Sequence, residues 1–181
     1  MDFNILYFIQ SLRTPFLDKF FVLITSIPGN YGEMWVALGT ILLLFKKTRK
    51  CGLTILLSYS LVYICGQYLL KDLIARPRPC HIDETIELLI KRPSSFSCPS
   101  THSGWAFAAA TSIFLFNKKF GIITYVFSSL VAFSRMYLFV HFPTDVLLGI
   151  IMGIIFAVIT KKLVNKLYKV VTQKTKQKTQ K

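Results

Sequence analysis

Three polar islands interrupt a chain that is otherwise strongly apolar. They are Lys71 to Pro79 (KDLIARPRP), Cys98 to Ser103 (CPSTHS) and Ser134 to Asp145 (SRMYLFVHFPTD). An ionisable group at the end of an apolar helix costs free energy to keep, so such positions are functional suspects. His141 stands four residues before Asp145, within reach of a contact across a helix start. A carboxylate bonded to one imidazole nitrogen fixes the tautomer and leaves the other lone pair free to attack. His102, at the mouth of another helix, is suited to give a proton to a leaving oxygen. Lys71, Arg78 and Arg135 add positive charge, and an anion with several oxygens, such as phosphate, satisfies that many donors. Ser100-Thr101-His102 and Pro143-Thr144-Asp145 read as helix starts, with Ser, Thr and Pro at capping and first-turn positions. The free N–H groups and dipole at such ends attract anions. The residue types point to phosphoryl chemistry.

The elements that must position these residues are membrane helices. Hydrophobic residues make up 53% of the 181, with 16 Phe and a mean hydropathy of +0.52, which places the chain among polytopic membrane proteins. Six apolar segments are visible, at about 15–29, 33–46, 51–70, 102–117, 121–139 and 144–163. The expectation is an all-α fold: six transmembrane helices in one bundle, with the site at the outer membrane–water interface. The net charge of +14 does not indicate nucleic acid, because the cations cluster between apolar segments and in the tail. Of the 22 cations, 14 fall on one side, in KKTRK (46–50), at Lys118 and Lys119, and from Lys161 onward. The positive-inside rule makes that side cytoplasmic, with both termini inside and the islands outside, in a cell (plasma or inner) membrane. Lys71, Arg76, Arg78, Lys91, Arg92 and Arg135 then sit against the rule, and something other than topology must explain them.

Residues 1–169 read as one membrane domain. Residues 170–181 read as a basic, disordered cytoplasmic tail that touches anionic headgroups. The start, MDFNILYFIQ, carries an acid where a signal peptide wants a cation, and reads as a retained short interfacial helix. The cysteines 51, 65, 80 and 98 are too widely spaced for a metal site. Cys80 and Cys98 lie on one connection, as either a disulfide or two free thiols. Gly104 and Ala108, and Gly149 and Gly153, recur at a spacing that lets helices approach, or by chance in spans rich in small residues. The 81–96 connection, with Leu88-Leu89-Ile90 among charges, reads equally as an interfacial helix or a surface loop.

Lys71, six residues, Arg78-Pro79; Pro99-Ser100-Thr101-His102; Ser134-Arg135, five residues, His141, three residues, Asp145: this pattern resembles the three-part signature of the type-2 phosphatidic acid phosphatase superfamily. The resemblance runs from Lys71 to Asp145 with all motifs in order. It implies a lipid phosphate phosphatase that needs no metal or cofactor and works through a phosphohistidine. It implies His141 as nucleophile, Asp145 as its orienter, and His102 as acid and then base. Lys71, Arg78, Arg135, Ser100 and the backbone at Thr101 would hold phosphate. Thr101 departs from the family's usual Gly, which either narrows the pocket or adds a hydroxyl. The count of six selects Arg78 over Arg76, leaving Arg76 as a headgroup contact or a solvated charge. Size and compact loops resemble bacterial undecaprenyl-diphosphate phosphatases; phosphatidylglycerol phosphate and phosphatidic acid are rival substrates. A lipid phosphotransferase and a non-catalytic anion- or lipid-binding membrane protein stay open as alternatives. The partners expected are a lipid phosphate and the bilayer; the motifs are silent on the lipid tail and on oligomeric state.

Overall fold

The computed structural model describes residues 1–179, with side chains through residue 173. Among these residues all regular structure is helical: α1 (Asp2–Ser11), α2 (Pro15–Ser26), α3 (Glu33–Leu44), α4 (Arg49–Val62), α5 (Lys71–Ile74), α6 (Pro79–Ile82), α7 (Thr101–Phe116), α8 (Lys118–Tyr137) and α9 (Pro143–Thr179). Between α4 and α5 the backbone stays helical but widens into π-type turns over Tyr63–Leu70. Widened turns of this kind recur beside functional sites, and this one ends at Lys71.

Each of the six apolar segments carries a helix, but they differ in length. Three stretches among the described residues are long and apolar enough to cross a bilayer: Arg49–Ile82, Lys118–Tyr137 and Pro143–Gln173. The 16 residues of α7 rise only about 24 Å, short of a hydrocarbon core of about 30 Å. The 12-residue helices α2 and α3 are shorter still. The 10-residue α1 matches the short helix expected at the N-terminus. At the other end, α9 runs on through residue 179 where a disordered tail is expected. Lys and Gln favour helix when a turn already exists to extend. Residues 180 and 181 of that tail lie outside the described residues.

α7 is the buried centre, with Thr101 and every residue from Ser103 to Ser112 enclosed. It packs on α4, α8 and α9, beside a cluster that includes Trp35, Ile55, Val62, Trp105 and Val131. The small residues are what bring α7 and α9 together. A Cβ placed on Gly149 would strike the carbonyl oxygen of Ser100, and one on Gly153 would strike that of Gly104. The four-residue spacing is therefore a close-approach device. The connection 83–96 is a loop, with Leu88, Leu89 and Ile90 packed beside Leu6 of α1 and Phe139. Arg13 ties it down at the Glu87 carbonyl (3.0 Å), and the Tyr7 hydroxyl does so at Asp83 (2.8 Å).

Replacing Gly149 by Ala tests whether this contact is structural. Alanine gains up to about 1 kcal/mol in helix propensity, while forcing a methyl into a packed interface costs about 1–3 kcal/mol. The overpacking term wins, so Gly149→Ala in detergent melts below wild type. A melting temperature equal to or above wild type would remove the close-approach reading.

Candidate functional site

The site begins where α7 and α9 start side by side. Ser100 is the N-cap of α7; its Oγ accepts from Ser103 N at 3.5 Å and pairs with Ser103 Oγ at 2.9 Å. The Ser100 N–H crosses to the first turn of α9 and donates to the Asp145 carbonyl at 3.0 Å. Two helix N-termini thus open at one place, each with its dipole toward the same space. Thr101 is buried with its methyl turned toward Gly66, in the widened turns before α5. It fills space on that side. His102 is partly buried, its ring 5.5 Å from that of Trp105, and it interacts with the backbone of Gly29.

The cations converge through a residue that sequence reasoning missed. Ser95 Oγ accepts from Lys71 Nζ at 3.3 Å and from Arg78 Nη2 at 3.0 Å, while its carbonyl accepts from Arg78 Nε at 2.7 Å. A serine in a polar loop carries no signal of this in the sequence. Arg78 also donates to the Val140 carbonyl at 2.8 Å and lies 3.1 Å from His141 Nε2. Arg135, buried in the last turn of α8, donates to Thr25 Oγ1 on α2 at 2.6 Å. Its Nε has no hydrogen-bond partner among the described residues. The Arg135 carbonyl accepts from the N–H groups of Val140 and His141, both at 3.2 Å, which pins the loop that carries His141. The charges of Lys71, Arg78 and Arg135 all bear on His102 and on His141. All eight residues singled out from the sequence lie at this end of the bundle.

His141 is 1% exposed and Asp145 is 0% exposed. The pair is close but not hydrogen-bonded: Nδ1 of His141 lies 3.7 Å from Asp145 Oδ2 and has no hydrogen-bond partner among the described residues. Asp145 spends its oxygens elsewhere. As the third residue of α9 it accepts the Phe142 N–H at 2.9 Å, the reciprocal half of a capping box. Its other oxygen accepts from Arg76 Nη1 at 2.7 Å. Burial, then the field of Arg78, holds the His141 imidazole well below its usual range, so the ring is neutral with a lone pair on one nitrogen.

Arg76 is the correction. Expected as a headgroup contact or a solvated charge, it instead pairs with both Asp145 and Asp2 (2.8 Å) and donates to Thr144 Oγ1 at 2.7 Å. The reason is its backbone. Ala75, at φ 47, turns the chain so that Arg76 points back over α9. Ala75 and Phe139 (φ 58) are the positive-φ non-glycine residues among those described, and both flank the site. Such strain clusters where function demands a fixed geometry. Cys80 and Cys98 are buried free thiols, and Cys98 bears on Asp145.

An undecaprenyl-diphosphatase of Sulfolobus acidocaldarius is 32% identical over 124 residues, covering 67% of this chain and 60% of the relative. The chain thus spans about three fifths of that relative's length. A lipid A 4'-phosphatase of Bacteroides thetaiotaomicron is 26% identical over 168 residues, 83% of this chain and 71% of the relative. The crystal structure of a transmembrane PAP2-type phosphatidylglycerolphosphate phosphatase from Bacillus subtilis superposes with a TM-score of 0.75 at 30% identity. It covers 91% of this chain and 85% of that one. The model of the PAP2 superfamily matches residues 51–169, a stretch that holds all three islands and the two paired helix starts. With that match, the chain belongs to the PAP2 superfamily, as a membrane protein with a solved relative that is a transmembrane phosphatase.

Proposed function

We propose that the chain is a membrane lipid phosphatase that hydrolyses a lipid phosphate or diphosphate through a phosphohistidine. One observation carries the reading: Arg78 reaches His141 Nε2 at 3.1 Å while sharing Ser95 with Lys71. The attacking nitrogen and the anion-holding charges therefore face the same point. In this mechanism Nε2 of His141 attacks phosphorus, and the bond to the leaving oxygen breaks as His102 gives that oxygen a proton. His102, now neutral, takes a proton from water, which attacks phosphorus and returns His141 free with inorganic phosphate. Lys71, Arg78 and Arg135, with Ser100 and the N–H groups at the start of α7, hold the phosphate oxygens. Donors aimed at developing charge are the largest usual source of rate in such sites.

The substrate favoured is undecaprenyl diphosphate, released as undecaprenyl phosphate, after the Sulfolobus relative. The Bacillus subtilis neighbour supports phosphatidylglycerol phosphate as the second reading. The bundle is proposed to cross the membrane six times with both termini cytoplasmic and the site outside, because 14 of the 22 cations then face inward.

The deciding measurement is inorganic phosphate release in detergent from undecaprenyl diphosphate, phosphatidylglycerol phosphate and phosphatidic acid, with acceptor lipids present and absent. His141→Ala lowers the rate by more than about 10³-fold on the preferred lipid, the scale of losing a nucleophile. Wild-type release matched by His141→Ala would leave only an anion-binding role, and phosphate appearing on the acceptor lipid instead would mark a transferase.

Two further expectations follow from the same chemistry. Activity persists in EDTA, since protein cations perform the charge neutralisation; loss in EDTA with recovery on adding Mg²⁺ would contradict the mechanism. The pH profile carries a sign as well. His141 must be neutral to attack and its folded value is depressed, so the acid limb of kcat/KM falls below the ordinary imidazole range. A limb at or above neutrality would contradict the assignment.

A further inference from the structure

We propose that Arg76 is a positioning residue for the His141–Asp145 pair, and that it couples the N-terminal helix α1 to that pair through Asp2. The inference rests on the reading of His141 as nucleophile, but on different contacts. Arg76 touches neither His141 nor the cradle of Lys71, Arg78 and Ser95. Its guanidinium lies 3.9 Å over the Phe142 ring, donates to Thr144 Oγ1 and bonds Asp145 Oδ1. Those three residues are the N-cap, second and third positions of α9, so one side chain holds the whole first turn. On its outer side Arg76 bonds Asp2 Oδ2, which also accepts from Thr144 Oγ1 at 2.6 Å. The Arg76 side chain is 30% exposed and that of Asp2 21%, whereas Asp145 is fully enclosed. The relay therefore runs from the surface of α1 to a buried carboxylate.

Its consequence is geometric. An N–H···O hydrogen bond needs about 2.9 Å, so the 3.7 Å gap between His141 and Asp145 must close by roughly 0.8 Å. A carboxylate has about four lone-pair sites, and here the Phe142 N–H and Arg76 take one on each oxygen. A site stays open toward His141 without either bond breaking. Arg76 thus fixes where the carboxylate stands. The charged and titratable groups facing His141 are Arg78, Arg135, Lys71, His102 and Asp145, with Arg76 and Asp2 acting through Asp145. Removing the Arg76 charge takes a cation away from the pair, which makes protonation of His141 easier. The sign is therefore a shift of the acid limb to higher pH.

The test compares wild type, His141→Ala, Arg76→Met, Arg76→Lys and Asp2→Asn as purified full chains, with phosphate release from undecaprenyl diphosphate and phosphatidic acid. Arg76→Met is expected to lower kcat about 10- to 100-fold, the scale of a misplaced catalytic group. KM stays within a few-fold, and the acid limb of kcat/KM moves upward. Arg76→Lys recovers part of both changes, and Asp2→Asn moves them the same way by less. Wild-type kcat and pH profile in Arg76→Lys and Arg76→Met overturn the proposal, as does a lower kcat with an unmoved profile. If Arg76→Met does not fold, Arg76→Lys and Asp2→Asn decide on the same criteria. A readout free of activity uses ¹⁵N-histidine labelling, with His141 assigned by its absence in His141→Ala. The His141 signal titrates at higher pH in the Arg76 variants, and an unchanged titration overturns the relay. Wild type releasing phosphate while His141→Ala does not, beside unaltered Arg76 variants, sinks the relay and spares the phosphatase reading. Wild type inert on every lipid, with a shifted titration, does the reverse.

Discussion

A single backbone hydrogen bond between two helix starts, Ser100 N–H to the Asp145 carbonyl, is the contact on which the site is built. It exists only because α7 and α9 lie close enough for Gly149 to face the Ser100 carbonyl and Gly153 to face that of Gly104. Any side chain at those glycines would hold the helices apart and separate their N-termini. With the bond made, the unpaired N–H groups and positive dipole ends of both helices are aimed at one point. Ser100 serves both as the α7 cap and as the donor across the seam, so local capping and tertiary packing have the same solution. His102 on one helix and His141 just before the other inherit their proximity from this seam.

The second constraint is charge. Lys71, Arg78 and Arg135 are buried near one another and repel, and among the described residues no carboxylate pairs with any of them directly. What keeps them in place is a set of neutral acceptors: Ser95 Oγ and carbonyl, the Val140 carbonyl and Thr25 Oγ1. These bonds are already charge-assisted through their donors, but a neutral acceptor offsets none of the repulsion. An anion entering the cradle would offset that repulsion while offering the same donors charged acceptors. The acid nearby, Asp145, is engaged with Arg76 and with a helix cap, which prevents it from quenching the cradle.

Much of this was legible in the sequence, and the parts that were not share a cause. The motifs carried fixed spacings that only a small set of chemistries uses, so Lys71, Arg78, Ser100, His102, Arg135, His141 and Asp145 stood out. Helices could be placed because apolar runs and caps are local. Span count was less legible, since α7 is buried by neighbours and needs no bilayer-length run to stay helical. Ser95 and Arg76 escaped because their importance lies in partners 17 to 74 residues away. Arg76 in particular depends on the left-handed turn at Ala75, a conformation that alanine does not advertise.

The 3.7 Å gap between His141 and Asp145 has an owner. Asp145 sits in the first turn of a long helix, with one oxygen fixed by the Phe142 N–H and the other by Arg76. Moving it would break a cap and an ion pair together. His141 lies instead on a short loop strained at Phe139, and its ring is drawn toward Arg78 by the 3.1 Å contact at Nε2. Arg78 is held at that point by neutral acceptors, which leave its charge unpaired. In the proposed mechanism its guanidinium turns to phosphate oxygens, which would end the contact at Nε2 and leave the ring free to settle against the carboxylate. The compliance of the pair therefore belongs to the histidine, and the carboxylate is the fixed post against which it closes.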